Sequence, residues 1–324
     1  MRPPRFWNDA EAPLAKWLKP LGRIYGDIVA ARAAQEPAYM SRLPVICVGN
    51  VTVGGAGKTP VVQSVVRLLK EAGKHPAVLL RGYGGDLKKA TVVEPQVHTA
   101  RQVGDEALLH AAAVPTVVSR DRAKGAQLIE KDEGATHIVM DDGLQNPSLK
   151  KTLSLLVVDG KNPFGNECLF PAGPLREHVD GVMRRVQALI VIGPKNDALL
   201  MRYGFLLPIF QAHLLPVNGE EFRDKRVTAF AGIGRPQKFF DTLRDTGAVV
   251  ADTHLYGDHH VFSDHEIAHL KDKAARGGEI LVTTRKDYVR LTPAQRDGIR
   301  VLDVALTWED ERAFKAFLQE KGML

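Results

Sequence analysis

A glycine-rich loop that ends in Gly-Lys-Thr is the most chemically distinctive stretch of the sequence. Glycines let consecutive backbone N–H groups turn toward one anion, and the N-terminus of a following helix adds partial positive charge. In such a loop Lys58 can reach the β- and γ-phosphates of a nucleotide, and the Thr59 hydroxyl can hold Mg²⁺. The pattern predicts a phosphate-binding loop, whose nucleotide-binding residues we expect to be Thr52, Gly54, Gly55, Ala56, Gly57, Lys58, Thr59 and Pro60.

The loop departs from the usual G-x-x-x-x-G-K-[ST] pattern at one position, because Thr52 stands where the first glycine would fall. A plain glycine turn before a helix would have a similar composition. The context favours a phosphate-binding loop: an apolar run predicts a strand that ends at Gly49, and apolar spacing predicts a helix over 61–70.

Two adjacent carboxylates follow a second apolar run over 136–140. Neighbouring aspartates at a strand end repel each other unless a cation offsets their charge. Downstream of a phosphate-binding loop, such a carboxylate holds the Mg²⁺ that bridges the nucleotide phosphates. We therefore predict metal ligands at Thr59, Asp141 and Asp142, the alternative for the two aspartates being a solvated turn.

Other polar residues lie at predicted strand ends or helix starts. Asp105 and Glu106 open a helix, where they could be catalytic or could merely complement its dipole. Arg81 and Arg120 each follow a strand, a position where α/β proteins bind ligands, although solvated arginines are equally compatible. His259 and His260 are adjacent, so their side chains point to different sides and are not expected to share one metal ion.

Strand and helix patterns alternate along the chain, which predicts an α/β fold with a mostly parallel sheet flanked by helices, of the P-loop NTPase type. The length of 324 residues favours two domains. A change of pattern near 205–226 indicates a first domain over 1–216 and a smaller C-terminal α/β/α domain over 217–324 on a short linker. Its last helix, over 309–321, is able to pack back on the first domain.

Composition narrows the possible partners without choosing one. The net charge of +6 suits a nucleotide, nucleic acid or an anionic membrane. Only two cysteines occur, so no disulfide framework is expected, which fits a reducing compartment. No apolar run approaches the roughly 20 residues that span a bilayer.

The N-terminal segment is both aromatic and basic. Apolar residues at helical spacing, interleaved with cations that include Arg2 and Arg5, predict an amphipathic helix over about 6–34 that Pro20 would kink or divide. Such a helix suits a membrane surface, and the alternative is a helix packed on its own protein. Farther along, a long loop from Lys161 to about His178, rich in proline and glycine, is of a length that usually has a function.

In order, these motifs resemble the tetraacyldisaccharide 4′-kinases, the lipid A 4′-kinases of Gram-negative bacteria. That family also has a threonine where the first glycine would be. The resemblance covers nearly the whole chain and rests on seven stretches: 49–60, 81–84, 104–106, 141–145, 171–177, 232–236 and 258–262. The chain departs from the family at Asn162-Pro163, where Arg-Gly often precedes the Phe-Gly-Asn loop, and this leaves details of the substrate loop open.

The resemblance implies ATP- and Mg²⁺-dependent phosphorylation of the 4′-hydroxyl of a tetraacylated glucosamine disaccharide 1-phosphate, which gives lipid IVA. It implies peripheral attachment to the anionic cytoplasmic face of the bacterial inner membrane, a smaller C-terminal domain on a two-stranded linker, and no nucleic-acid partner. By position, Asp105 matches the proposed base and His259 its partner, with Lys58 and Asp142 in the phosphate network. The residues expected to line the active site are Arg81, Arg120, Gln145, Arg176, Glu177 and His260.

The main rival is a P-loop GTPase or metallochaperone. Residues 284–287, Thr-Arg-Lys-Asp, resemble a degraded guanine-recognition motif, but they fall in the second predicted domain. A basic membrane adaptor without catalysis is a weaker rival, because it leaves Lys58 and the two aspartates without a role.

Overall fold

The computed structural model describes residues 4–324, so Arg2 and the start of the predicted first domain lie outside the described residues. The helices are α1 (Pro13–Ala33), α2 (Lys58–Glu71), α3 (Ala100–Val103), α4 (Asp105–Ala111), α5 (Arg122–Ile129), α6 (Val179–Met183), α7 (Asp197–Tyr203), α8 (Pro236–Asp245), α9 (Asp264–Arg276), α10 (Arg285–Tyr288), α11 (Pro293–Arg296) and α12 (Glu311–Glu320). The strands are β1 (Val45–Gly49), β2 (Pro76–Leu80), β3 (Thr91–Val92), β4 (Thr116–Val118), β5 (His137–Asp141), β6 (Leu153–Asp159), β7 (Ala188–Ile192), β8 (Ile209–Pro216), β9 (Arg226–Ala231), β10 (Val249–Leu255), β11 (Ile280–Thr284), β12 (Ile299–Leu302) and β13 (Val304–Trp308).

The strands form two sheets, and the predicted α/β class is confirmed. The large sheet has nine strands in the order β13-β8-β7-β6-β1-β5-β2-β4-β3, parallel except for the antiparallel edge strands β3 and β13. The small sheet has four parallel strands in the order β10-β9-β11-β12. In the large sheet β1, β2, β5 and β7 are fully buried, as expected for parallel strands covered by helices on both faces.

Strand β1 lies near the middle of the large sheet, between β5 and β6. The phosphate-binding loop follows β1 and the paired aspartates follow β5. Since parallel strands end at the same edge of a sheet, this order brings the two predicted motifs together.

The structure corrects the C-terminal boundary of the second predicted domain. The sequence assigned all of residues 217–324 to the second domain, but β12 closes the small sheet at Leu302 and β13 pairs antiparallel with β8 of the large sheet. The Trp308 indole donates to Ser64 Oγ of α2 at 2.8 Å and stacks on Phe314 of α12 at 4.0 Å. The small unit therefore ends near 303, and residues 304–324 complete the large unit, because their apolar side chains are buried in its core.

Helix α1 is continuous through Pro20, so the division that the sequence allowed there does not occur. Pro20 is exposed, so water can satisfy the carbonyl that loses its partner. The helix buries Ala15, Gly22 and Gly26, and a Cβ on either glycine would meet Leu169 of the long loop within 3.0 Å. None of the helices in the described part of the chain is long and apolar enough to cross a membrane.

Candidate active site

The phosphate-binding loop opens into a cleft of about 940 Å³ between the large and small units. Residues 54–60 line one side, and Arg235, Lys286 and Arg290 are among the residues that line the other. Gly57 has a φ of +86°, and a Cβ there would lie 2.6 Å from Ile192 Cδ1. Only glycine therefore fits the turn that starts α2 at Lys58.

Thr52 has a structural role that explains the missing glycine. The buried Asn50 amide donates to the Thr52 carbonyl at 2.9 Å and to its hydroxyl at 3.2 Å, while its Oδ1 accepts from Lys58 Nζ at 3.2 Å. The loop is also tied to the 171–177 motif by a backbone hydrogen bond from Val53 to Pro174 at 2.7 Å. Hydrogen bonds thus fix the conformation of the loop around Thr52, at the position where the usual pattern has a glycine.

Asp142 is surrounded by cations. Arg176 Nη1 donates to both carboxylate oxygens at 2.9 and 3.0 Å, and Lys58 Nζ lies 3.8 Å from Oδ2. Burial alone would raise the pKa of Asp142, but the charges of Lys58 and Arg176 outweigh it and lower that pKa. The carboxylate is therefore ionised and holds Lys58 of the glycine-rich loop.

Asp141 lies in a different environment from its neighbour. Its Oδ2 is 3.0 Å from His110 Nε2, while its buried Oδ1 has no hydrogen-bond partner among residues 4–324. Within the same residues there is no cluster of three or more His, Cys, Asp or Glu side chains suited to hold a metal on its own. Mg²⁺ bound with a nucleotide needs only one or two protein ligands beside phosphates and water, and the free Asp141 oxygen fits that need.

Asp105 lies where the two units meet. Its Oδ2 accepts hydrogen bonds from Arg290 of the small unit and is 3.1 Å from His259 Nδ1, with Lys286 Nζ at 3.8 Å. Burial would raise the pKa of Asp105, but the hydrogen bond from His259 and the charges of Lys286 and Arg290 hold that pKa well below its usual range. Among residues 4–324, Oδ1 accepts a hydrogen bond only from the Glu106 backbone N–H, at 3.0 Å, so one of its lone pairs is free.

The pKa of Glu106 is shifted in the opposite direction to that of Asp105. Burial, followed by repulsion from Asp141, raises the pKa of Glu106, although Lys286 Nζ lies 3.6 Å from its Oε1. At the meeting point of the two units, the Asp105 carboxyl group therefore stays ionised while its neighbour Glu106 binds a proton more readily.

Gln145 and Glu177 hold the backbone at Asn50, where the phosphate-binding loop begins. Gln145 Nε2 donates to the Asn50 carbonyl at 3.0 Å and to Glu177 Oε1 at 2.9 Å. Glu177 is buried and also accepts a hydrogen bond from Arg185. Their contacts link the 141–145 and 171–177 motifs to the end of β1.

The remaining predicted lining residues do not join this cluster. Arg81 and Arg120 are exposed at the ends of β2 and β4, and neither makes a hydrogen bond or ion pair with the rest of residues 4–324. His260 is turned away from Asp105: its Nε2 lies 3.0 Å from Glu266 Oε1, and its ring stacks on Tyr256.

Sequence reasoning missed Asn50, His110, Lys286 and Arg290 as neighbours of the predicted site. Lys286 lies in the stretch that resembled a guanine motif, and the structure gives that stretch another role. The Thr284 hydroxyl caps α10, and the Asp287 carboxylate is fully buried and accepts the Gly232 backbone N–H at 3.0 Å. Asp287 is thus not open to a guanine base, which counts against the GTPase reading.

Comparison with known proteins gives one consistent result. The sequence model of the family described as tetraacyldisaccharide-1-P 4′-kinase matches residues 14–322. A tetraacyldisaccharide 4′-kinase of Methylorubrum extorquens (strain PA1) is 49% identical over 317 residues, 96% of each chain, and one of Rhodopseudomonas palustris (strain BisB5) is 42% identical over 332 residues, 99% of this chain and 97% of the relative. The crystal structure of LpxK from Aquifex aeolicus in complex with ATP superimposes with a TM-score of 0.76 at 26% identity and covers 95% of this chain and 99% of that one.

Proposed function

The chain belongs to the tetraacyldisaccharide 4′-kinase family and is a lipid A 4′-kinase, and from this premise we propose which residues perform the transfer and where in the cell it occurs. The substrates are ATP and a tetraacylated glucosamine disaccharide 1-phosphate, and the product is lipid IVA. The observation that carries the residue assignments is the position of Asp105, at the meeting point of the two units and next to Glu106, which lines the cleft together with the phosphate-binding loop.

Phosphoryl transfer requires mainly positioning and charge stabilisation from the protein. Residues 52–60 bind the phosphates, with Lys58 on the β- and γ-phosphates and Asn50 and Asp142 fixing that lysine. Thr59 and Asp141 would hold the Mg²⁺ of the nucleotide, with Asp142 next to it. Bound Mg²⁺ neutralises charge on the phosphates.

Asp105 accepts the proton of the 4′-hydroxyl at Oδ1. The oxygen attacks the γ-phosphorus, the bond to the β,γ-bridging oxygen breaks, and ADP leaves with that oxygen. His259, Lys286 and Arg290 keep Asp105 ionised and fixed, and since all three belong to the small unit, closure of the cleft completes the site. Exposed Arg81 and Arg120 are free to meet the lipid phosphate, and Gln145, Arg176 and Glu177 keep the loop in place.

Helix α1 attaches the enzyme to the membrane that contains its substrate. Five large apolar side chains on one side of the helix are each more than half exposed: Leu14, Trp17, Leu21, Ile24 and Ile28. Lys16, Lys19 and Arg23 alternate with these residues along the sequence of the helix and add positive charge, as suits an anionic surface. We propose that this membrane is the bacterial inner membrane and that α1 binds its cytoplasmic face. We expect the protein to have no nucleic-acid partner.

The proposal is tested by transfer of the γ-phosphate from labelled ATP to tetraacyldisaccharide 1-phosphate in detergent micelles. We expect labelled lipid with the unaltered enzyme and strong loss of product with Asp141→Ala. Excess unlabelled ATP, but not GTP, should suppress the label in the lipid. Equal product from the Asp141→Ala variant would remove that residue from the metal site, and preferential suppression by GTP would favour the GTPase alternative.

A further inference from the structure

His110 has no part in the reaction as described so far, yet its ring contacts Asp141. Its Nε2 lies 3.0 Å from Asp141 Oδ2, and both side chains are 1% exposed. An ionised carboxylate can only accept hydrogen bonds, so the imidazole nitrogen donates in this contact. Burial of both groups makes the contact a fixed one that water cannot replace.

The two oxygens of Asp141 are not equivalent. Oδ2 is occupied by His110, and Oδ1 is buried without a partner among the described residues. Buried polar atoms in proteins are nearly always paired, so an unpaired carboxylate oxygen indicates a place for a missing ligand.

The two aspartates have different partners. Arg176 and Lys58 hold Asp142, and Arg176 contacts both of its oxygens, whereas the His110 ring holds Asp141 through Oδ2 alone. The two neighbouring aspartates are therefore suited to different tasks: Asp142 orients Lys58, and Asp141 remains available to a cation.

Helix α4 carries both His110 and the proposed base. Residues 105 and 110 are five apart, which places them roughly 140° apart around a helix. Asp105 accordingly meets the small unit while His110 reaches Asp141 at the end of β5. One short helix thus connects the acceptor side of the site to the proposed metal side.

We propose that His110 is a positioning residue, which holds Asp141 through Oδ2 and leaves Oδ1 as the oxygen that binds the metal of the nucleotide. The proposal rests on the proposed Mg²⁺ site and adds to it a residue that no sequence motif singles out. Groups that orient a metal ligand through a hydrogen bond usually change metal affinity by about 10–100-fold when they are removed.

The test is Mn²⁺ binding to the enzyme–ADP complex, followed by electron paramagnetic resonance, beside calorimetric ADP binding in EDTA. His110→Leu removes the donor and is expected to weaken Mn²⁺ binding by about 10–100-fold while ADP binding without metal is unchanged. His110→Gln places an amide N–H at a similar reach from the backbone and should restore most of the Mn²⁺ affinity.

The matched control is His137→Leu, since His137 is a buried histidine at the other end of β5 whose ring contacts the Thr136 hydroxyl. It should lower stability without changing Mn²⁺ affinity. If His110→Leu binds Mn²⁺ as the unaltered enzyme does while Asp141→Asn loses it, the His110 proposal is wrong and the metal site stands. If Asp141→Asn also binds normally, the metal site itself is wrong and the His110 proposal fails with it.

A leucine at this buried position could prevent folding, which thermal unfolding would reveal. His110→Asn then takes its place, because its shorter amide stays polar but does not reach Asp141. Weaker Mn²⁺ binding with unchanged metal-free ADP binding supports the proposal in this variant, and unchanged Mn²⁺ binding contradicts it.

Discussion

At the scale of single residues, the proposed reaction depends on an ionised Asp105 with one free lone pair. We expect Asp105→Asn to lower kcat by roughly 10²–10⁴, the usual size of general acid–base assistance, because an amide cannot accept the proton. The KM for ATP should change little, since Asp105 does not contact the phosphate-binding loop. Near-normal turnover of the lipid would exclude Asp105 as the base.

The pH dependence follows from the cations around Asp105. Its pKa is lowered in the folded protein, so the ionised form stabilises the folded state above the ordinary carboxyl range, and that contribution is lost as the pH falls through the lowered value. Lys286→Met removes one of these cations and should raise the pKa of Asp105, which moves the acid limb of kcat/KM to higher pH.

The control for this experiment is Lys273→Met, because Lys273 pairs with Asp252 away from the cleft. Its pH profile should match that of the unaltered enzyme. An acid limb that does not move in Lys286→Met would show that another group sets it.

The sequence could predict the residues that follow strands along one edge of the sheet, because motif spacing fixes them locally. It could not predict that Arg290 and Lys286, almost two hundred residues along the chain, would surround Asp105, since that contact depends on how two separately folded units meet. His110 was equally hidden, because a single histidine within an apolar helical stretch carries no spacing signal. The roles of the site residues remain predictions for the experiments described above.

At the scale of elements, α1 is expected to be a surface anchor whose removal leaves chemistry intact. The double variant Trp17→Ser, Leu21→Ser removes two exposed apolar side chains of the helix. It should reduce co-sedimentation with anionic phospholipid vesicles at least several-fold, because binding scales with buried apolar area. Turnover in detergent micelles should stay near normal.

A matched control for this helix is Val249→Ser together with Leu255→Ser, two exposed apolar residues of β10 in the small unit. These changes should leave vesicle binding unchanged. Equal binding by the α1 variant and the unaltered enzyme would assign membrane attachment to another surface.

Element types were predictable where periodicity was long, as for α2, which was predicted over 61–70 and extends from Lys58 to Glu71. Prediction failed where tertiary contacts decide the outcome. Nothing local separates β12 from β13, since both are apolar and only their partners in different sheets distinguish them. Pro20 is tolerated within α1 because its side of the helix faces solvent.

At the scale of the whole molecule, the packing of β13 and α12 on the large sheet should determine the free energy of unfolding. Trp308→Ala removes a buried ring that stacks on Phe314 and bonds to Ser64 of α2. We expect it to lower the free energy of unfolding by roughly 3–5 kcal/mol, measured by urea denaturation, as for other buried aromatic side chains. A loss below about 1 kcal/mol would show that β13 and α12 are peripheral to the core.

The interruption of the large sheet by the small unit also has a consequence during protein synthesis. Strand β8 is made first, the four strands of the small unit follow, and only then does the ribosome release β13 and α12, whose aromatic side chains cover α2. A nascent chain that already contains the entire phosphate-binding loop thus still exposes the apolar face of α2 that these side chains later cover. Until residues 304–324 emerge, we expect the incomplete chain to bind chaperones, and firm binding of ATP should become possible only late in translation.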